Sequence, residues 1–293
     1  MTHQPQQSPG GQKAIETDQD RAGLAWQVGV WDRISEVYLR EVDKRFAPVV
    51  EQVVARAALA PGRRILDLGT GTGSVAIRTA SLVAPGGQVL GVDISPEMLA
   101  LARRRAAALR LDSLSFREGR GEAIPADDKA YDVLLASLSL MYVIDRAAAA
   151  REIVRVLRPG GRLVAAVWAG PEQCDIVRFQ QTAGRFAPTP PVPGVGPGAL
   201  ADPTSFLAQL ADAGIEARVE TETLGFDFGD FASAWDVLAG VTTAQLPPER
   251  QQEAKAAVLA TMWPRGDGPR HFRNVTQFIV GRRVGEAPAA GSS

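Results

Sequence analysis

The chain has 293 residues, and its 32 Lys and Arg residues nearly balance its 33 Asp and Glu residues, which gives a formal net charge of −1 at pH 7. This balance argues against a dedicated nucleic-acid-binding protein, because such proteins carry a basic surface. The single cysteine, Cys174, can form neither an intramolecular disulfide nor a four-cysteine metal site, so we expect a buried structural thiol. No apolar run is long enough to cross a bilayer, and residues 1–20 lack the apolar region of a secretion signal. We therefore expect a soluble, cytoplasmic protein with no membrane span.

The two ends of the chain differ in composition from the rest. Residues 1–20 are rich in Gln, Pro and Gly, and residues 285–293 are small and polar, so both are predicted to be disordered. Between them, residues 21–60 carry apolar side chains at helical spacing, which predicts two amphipathic N-terminal helices.

Residues 61–170 alternate short apolar strands with helical stretches. Alternation of this kind predicts an α/β fold in which a mostly parallel, doubly wound sheet carries helices on both faces. Residues 171–284 depart from that rhythm: helices are predicted at 171–185, 202–213, 231–241 and 248–262, and strands at 217–226 and 271–282. The Pro- and Gly-rich residues 187–200 are predicted to form a loop, which is a lid, a substrate wall or a disordered segment.

The most informative segment is ILDLGTGTGS, in which a strand ends at Asp67 and a helix begins after Gly69, Gly71 and Gly73. Glycines let a ligand approach the backbone closely, and the helix N-terminus offers free N–H groups to it. The spacing fits the dinucleotide motif imperfectly, and the phosphate-binding loop is excluded because no lysine is present. A second acid, Asp93, ends the next strand, where a carboxylate can accept from both hydroxyls of a ribose. Asp67 can reach a positively charged amino group.

With these residues the sequence resembles the class I S-adenosylmethionine-dependent methyltransferases, and more closely their ubiquinone/menaquinone-methyltransferase-like small-molecule group. The stretches VDISPEMLALAR, EGRGEAIPADDKAYDVLLAS and REIVRVLRPGGRLVAAVW add to the resemblance, which covers residues 26–282 and is strongest over 64–168. The resemblance implies a seven-stranded Rossmann-like sheet with N-terminal helices and helical or loop insertions that form a lid. It assigns residues 61–170 to the cofactor-binding core and residues 171–284 to substrate-side insertions and the last two strands. The implied cofactor is S-adenosyl-L-methionine.

The resemblance also implies a role for each matching residue. Gly69, Gly71 and Gly73 would line the methionine part of the cofactor, with Thr70 between them, and Asp93 would hold the ribose. The residues implied for the adenine and the sulfonium are Ile94 and Met98 beside the adenine ring, Gly121 and Glu122 at its edge, and Ser137 and Leu138 over the sulfonium. The family commonly has Asp where this chain has Arg120. Arginine has no acceptor, so a backbone carbonyl or Glu122 would have to receive the adenine amino group.

Catalytic groups are harder to identify from the sequence. His271 is the only histidine outside the N-terminal tail, and we expect it near Trp168 as a candidate general base, although a structural role at a strand start is the simpler interpretation. Tyr142 is the second candidate, and Trp31, Tyr38 and Trp168 are expected in the lid or the substrate pocket. No group of residues indicates a metal site.

The implied reaction is methyl transfer to O, N or C of a small acceptor, whose pocket is expected to be built by the N-terminal helices and by residues 171–200 and 227–270. The aromatic residues in these parts suit a fairly apolar acceptor of natural-product type: Trp26, Trp31, Phe179, Phe186, Phe228, Phe231, Trp235 and Trp263. Two alternatives stay open at the sequence level: another reaction on the same fold, such as a cyclisation, or a cofactor-binding protein without turnover. The expected partner is a small molecule, with no nucleic acid, and the chain allows for a homodimer.

Overall fold

Seven strands form one sheet in a computed structural model that describes residues 17–285. The strands are β1 (Arg64–Leu68), β2 (Gln88–Asp93), β3 (Leu114–Glu118), β4 (Tyr131–Ser137), β5 (Leu157–Trp168), β6 (Ile215–Phe228) and β7 (Arg270–Arg283). Their order is β3-β2-β1-β4-β5-β7-β6, and only β7 runs antiparallel to its neighbours. The predicted seven-stranded, mostly parallel sheet is therefore confirmed.

Helices pack on the sheet as the alternating pattern predicts. They are α1 (Asp18–Val37), α2 (Asp43–Arg56), α3 (Ser74–Ala80), α4 (Pro96–Ala108), α5 (Arg146–Val156), α6 (Asp175–Gly184), α7 (Thr204–Ala213), α8 (Phe231–Leu238), α9 (Gly240–Thr243) and α10 (Pro248–Met262). A π-helical turn (Tyr38–Val42) joins α1 to α2, and a 3₁₀ turn (Leu140–Tyr142) follows β4. Residues 187–200 form neither helix nor strand.

The core lies between the central strands and the helices on both faces. Ile65 and Leu66 of β1 and Leu134 and Leu135 of β4 are each fully buried, as expected for strands covered on both sides. Burying side chains of this size contributes about 1.5–3 kcal/mol each. Cys174 is buried too, which confirms the prediction of a structural thiol, and burial raises the pKa of that thiol to about 12.

The first helix begins earlier than the sequence suggests. Thr17 and Asp20 form a capping box, in which the Thr17 hydroxyl accepts from the Asp20 N–H at 3.0 Å and the Asp20 carboxylate accepts from the Thr17 N–H at 3.0 Å. The prediction of a disordered tail over residues 1–20 is therefore wrong for residues 18–20, because this cap satisfies the free N–H groups of the first turn. The tail predictions for residues 1–16 and 286–293 lie outside the described residues.

The loop at residues 187–200 packs on α1. The Gln19 amide donates to the Pro191 carbonyl at 2.8 Å, and the Gly196 N–H donates to the Met141 carbonyl at 2.9 Å. Gly23 leaves the room that Val192 occupies, since a Cβ at Gly23 would overlap the Val192 side chain. Over residues 17–285, no helix is long and apolar enough to cross a membrane.

Candidate active site

The turn after β1 is built from three glycines in the left-handed region. Gly69, Gly71 and Gly73 have φ values of 71°, 54° and 86°, which other L-residues adopt only with strain. The N–H groups of Gly69 and Thr70 both donate to the Val92 carbonyl, at 2.8 and 2.9 Å. These bonds hold the turn against the end of β2, beside Asp93.

Asp93 is the acid best placed to hold a ligand. Its carboxylate is 9% exposed, and it accepts from the Gly71 N–H at 2.8 Å and from the Ser95 N–H at 3.0 Å. Burial raises the pKa of Asp93 from its ordinary value. Because each carboxylate oxygen can accept two hydrogen bonds, the group retains acceptor capacity for a neighbouring pair of hydroxyls.

Asp67 lies beneath the glycine turn rather than in the wall of a cavity. One of its oxygens accepts from the Thr70 hydroxyl at 2.6 Å and from the Ala76 N–H at 3.1 Å, and the other, Oδ1, is buried without a hydrogen-bond partner among the described residues. An unpaired buried acceptor of this kind fits a site that receives a positively charged donor. Thr70 and Gly73, which we also expected to line the ligand, do not line the adjoining cavity, and a Cβ at Gly73 would lie 3.1 Å from the Ala102 side chain.

The ionisation of Asp67 gives a pH-dependent prediction. Burial raises its pKa to about 7 from an ordinary value of 3.8, so the folded protein binds one more proton than the unfolded chain between these pH values. The free energy of unfolding should therefore fall as the pH rises through this window. We expect Asp67→Asn, which keeps an acceptor for Thr70, to raise the melting temperature by several degrees at pH 8 and little at pH 4. An equal shift at both pH values, measured without ligand, would contradict a raised pKa of Asp67.

The glycine turn and Asp93 open into a cavity of about 480 Å³, which we call the first cavity. This volume lies in the range of small-molecule sites. Most residues that the resemblance implies for the cofactor line it, namely Gly69, Gly71, Asp93, Ile94, Met98, Gly121, Glu122, Ser137 and Leu138. The structure thus brings together residues from the ends of β1, β2 and β4 and from the loop after β3.

The first cavity also has residues that sequence reasoning missed. Asp20, Leu24 and Gln27 of α1 line it, and the Gln27 amide donates to the Tyr142 carbonyl at 2.9 Å. Asp32, one helical turn further on, accepts from the Ser95 hydroxyl at 2.5 Å and so ties α1 to the start of α4. Amphipathic spacing predicts α1 but gives no information about which loop it covers.

The adenine edge differs in detail from the expectation. Glu122 uses one oxygen to accept from the Ile144 and Asp145 N–H groups, at 2.9 and 3.1 Å. It thereby fixes the start of α5. Arg120 also lines the first cavity, and its charge contributes to lowering the pKa of Asp20, after the hydrogen bonds from Thr17. This arginine thus acts on helix α1 through its charge.

A second cavity of about 240 Å³ adjoins the first. Four residues line both cavities: Trp31, Tyr38, Leu138 and Tyr142. Leu138 has a φ of 57° although it is not glycine, and such strained positions cluster at functional sites. Trp168 lines only the second cavity, whose wall is otherwise largely apolar. The three residues expected in the lid or pocket, Trp31, Tyr38 and Trp168, therefore surround one space.

The two tyrosines in the shared wall are poor proton acceptors. Burial raises the pKa of Tyr142 above its ordinary value, and burial also raises that of Tyr38, with Asp43 adding to the effect. Tyr142 is therefore a neutral phenol at physiological pH, able to donate a hydrogen bond. This result argues against Tyr142 as a general base and leaves it the role of orienting a bound molecule.

The structure does not place His271 at the site. In the sheet, Trp168 pairs with Thr276, whereas His271 pairs with Asp227, five residues earlier along β7. Five residues of strand span about 16 Å. The imidazole is 56% exposed, contacts the Asp227 carboxylate at 2.8 Å and lines neither cavity. The expectation that His271 lies near Trp168 is wrong, because β6 and β7 extend as a hairpin beyond the end of β5.

Replacement of this histidine is a direct check. We expect His271→Ala to leave both the rate of any reaction at the site and the binding of its ligands unchanged within a factor of about two, because distant surface substitutions change free energies by about 0.5 kcal/mol or less. The measurement is turnover beside ligand affinity. A hundredfold loss of rate with unchanged affinity would restore the histidine as the base.

Most of the aromatic residues outside the core strands do not reach the cavities. We expected Trp26, Phe179, Phe186, Phe228, Phe231, Trp235 and Trp263 to form an apolar pocket, but none of them lines either cavity. Instead, Phe179, Phe228 and Phe272 are fully buried and pack edge-to-face or tilted with their neighbours. Across the described part of the chain, no group of three His, Cys, Asp or Glu residues is arranged to hold a metal ion.

Known proteins are similar to this chain in sequence. Residues 59–183 match the model of a family described as a methyltransferase domain. The demethylmenaquinone methyltransferase of Thermus thermophilus is 35% identical over 176 residues, which cover 56% of this chain and 79% of that protein. The nocamycin O-methyltransferase of Saccharothrix syringae is 36% identical over 136 residues, which cover 46% of this chain and 48% of that protein.

Solved structures agree with the fold. The YcgJ protein from Bacillus subtilis superposes with a TM-score of 0.61 at 18% identity, covering 81% of this chain and 98% of that chain. A likeness at this identity shows the fold alone. This chain spans about half the length of several curated relatives that it matches, 46% in one case and 48% in another.

Proposed function

Because the chain belongs to the class I S-adenosylmethionine-dependent methyltransferase family, we propose that it transfers the methyl group of this cofactor to O, N or C of a small, mostly apolar acceptor. One observation carries the proposal: the first cavity, which holds the cofactor residues, shares the wall of Trp31, Tyr38, Leu138 and Tyr142 with the second. A methyl donor in the first cavity and an acceptor in the second would both contact these four residues. Their reacting groups would therefore lie close together.

The first cavity suits the cofactor for reasons that lie in its own residues. Asp93 retains acceptor capacity for the ribose hydroxyls, because its carboxylate accepts from the Gly71 and Ser95 N–H groups and each of its oxygens can accept two hydrogen bonds. A Cβ at Gly71 would meet no protein atom within 4 Å, so the glycine leaves open space beside the backbone. Met98 and Ile94 offer apolar surface for a base.

The bound cofactor supplies an electrophilic methyl group on a positively charged sulfur. The chain then has to align the acceptor atom with that methyl carbon and exclude water. Tyr142 and Tyr38 border the shared wall as neutral phenols, and no histidine lines either cavity among the described residues. We therefore propose catalysis by proximity, acting on an acceptor whose nucleophile is already electron-rich or ionises easily.

The choice of acceptors to test follows from the second cavity. Trp31, Phe46 and Trp168 give it flat apolar walls, which favour a ring system. Two relatives are named for methyl transfer, one to demethylmenaquinone and one to nocamycin oxygen. These names support starting with reduced quinones and with enolic or phenolic natural products.

The test is the incubation of the protein with methyl-labelled S-adenosylmethionine and this set of acceptors. Label in an acceptor, formed by the wild-type protein and lost in Asp93→Ala, would support methyl transfer. Cofactor binding with no labelled product from any acceptor would favour a cofactor-binding protein, and an acceptor rearranged without label would favour another reaction on the same fold.

A prediction about motion rests on this proposal. Residues 187–200 and α1 cover the two cavities and touch each other through Gln19 and Pro191. We expect them to open for entry and to close over the acceptor, which would exclude water from the reaction. Amide hydrogen exchange in both segments should slow severalfold when cofactor and acceptor are added. Identical exchange with and without ligands, alongside demonstrated binding, would contradict a lid.

A further inference from the structure

The second cavity contains one buried polar side chain among its apolar walls. Besides Trp31 and Trp168, whose indoles carry an N–H group, five residues with polar side chains line it: Arg33, Tyr38, Tyr142, Gln180 and Asp236. Arg33 and Asp236 are exposed, and the tyrosines belong to the wall shared with the first cavity. Gln180, in contrast, is only 5% exposed and comes from the middle of α6. A helix interior that packs on the sheet would ordinarily carry an apolar residue at such a position.

The orientation of the Gln180 amide is fixed by its nitrogen. Nε2 donates to the backbone carbonyl of Leu238 at 2.6 Å, at the end of α8. A flipped amide would set its oxygen against that carbonyl, so that two acceptors would face each other. The amide oxygen, Oε1, therefore takes no part in this hydrogen bond. It is buried and has no hydrogen-bond partner among the described residues.

A buried acceptor without a partner destabilises the folded protein, because the hydrogen bond that it made to water in the unfolded chain is not replaced. A donor from a bound molecule would remove this cost, whereas an apolar molecule in the same place would leave it. We propose that Gln180 determines acceptor specificity, its Oε1 receiving a hydrogen bond from a hydroxyl or N–H group of the acceptor held in the second cavity. The inference rests on the proposed function, since it assumes that this cavity holds the methyl acceptor.

The substrate class follows from the combination of walls and amide. The acceptor would be a ring system that lies against Trp31 and Trp168 and carries a donor where it reaches Gln180. Molecules that present only ethers, ketones or methyl groups at that point would be rejected, because they would leave Oε1 unpaired. Polar discrimination of this kind is stronger than the discrimination of one methyl group by an apolar pocket.

The experiment uses two probes of nearly the same shape, 2-naphthol and 2-methylnaphthalene, with the full chain saturated with S-adenosylhomocysteine. Their dissociation constants are measured by the quenching of tryptophan fluorescence. We expect the wild-type protein to bind 2-naphthol at least about tenfold more tightly, which corresponds to about 1.4 kcal/mol. Equal binding of the two probes, or binding of neither, would overturn the proposal without any variant being made.

Two variants assign the preference to this residue. Gln180→Met keeps the length of the side chain and removes the amide, so the ratio of the two dissociation constants should fall to within about threefold. Gln181→Met changes the next residue, which is exposed, and should keep the wild-type ratio. A ratio that survives in a folded Gln180→Met protein would assign the preference to another group. Calorimetric titration with S-adenosylhomocysteine tests the proposed function separately. It measures the affinity of the first cavity, and the residues that line only the second cavity, such as Gln180, do not contribute to it.

Discussion

Replacing Asp93 with alanine is expected to weaken the binding of S-adenosylmethionine about ten- to a hundredfold. Hydrogen bonds to a charged group contribute about 1.5–3 kcal/mol, and the ribose hydroxyls would lose theirs. The variant also frees the N–H groups of Gly71 and Ser95, which the carboxylate holds at 2.8 and 3.0 Å. The ligand contacts and these two backbone contacts are all lost at the end of β2, beside the first cavity. The free energy of binding should therefore fall more than the free energy of unfolding.

Isothermal titration calorimetry at pH 8 measures this effect. Asp93→Asn keeps one oxygen that accepts from the turn, so it should lose less affinity than Asp93→Ala. Asp112→Ala serves as the matched control, because Asp112 is exposed and lines neither cavity. Unchanged affinity in a folded Asp93→Ala protein would move the cofactor away from the first cavity.

The second large effect is expected for Gly69→Ala. The residue has a φ of 71°, and the added Cβ would overlap the Ser139 side chain and lie 2.8 Å from its hydroxyl. That hydroxyl donates to the Leu68 carbonyl at 2.7 Å, so it cannot move away freely. Left-handed strain costs about 1–2 kcal/mol, and overpacking adds about 1–3 kcal/mol. We expect the free energy of unfolding to fall by about 2–5 kcal/mol, and cofactor affinity to fall with it.

Substitutions at two other glycines distinguish the cost of backbone strain from the cost of overpacking and from the loss of binding. Gly62 has a φ of 80° and a Cβ there would meet nothing within 4 Å, so Gly62→Ala reports the strain alone, and cofactor binding should be unchanged. Gly71 has equally open surroundings but lines the first cavity, so Gly71→Ala should cost similar stability and additionally weaken binding. If Gly69→Ala destabilised the protein no more than Gly62→Ala in urea unfolding, the close approach of Ser139 would have no energetic weight.

The sequence predicts most of the residues that meet at the first cavity, because the signals for them are local. A buried strand followed by Gly69 and Gly71, and a second strand that ends at Asp93, lie next to each other in any parallel sheet with this connectivity. The start of α4 is also a local feature, because it depends on one residue, Ser95, whose hydroxyl accepts from the Met98 N–H at 3.1 Å.

The second cavity depends on how parts of the chain that are far apart in sequence come together, and no local pattern contains this information. His271 was expected near Trp168 because both lie at the same end of the sheet, but the length of the β6 and β7 hairpin was not predictable to within five residues. The aromatic residues were expected in a pocket because aromatic side chains suit both pockets and cores, and composition does not distinguish the two uses. No sequence pattern singles out Gln180, because its proposed role depends on the hydrogen bond that its amide donates to the Leu238 carbonyl in the folded chain.

The order of the lining residues along the chain bears on how the protein matures during synthesis. The residues that line the first cavity all precede residue 150, whereas the second cavity also needs Gln180 and residues 236–244. A ribosome therefore releases every residue that lines the first cavity before it has made α8, which helps to line the second cavity.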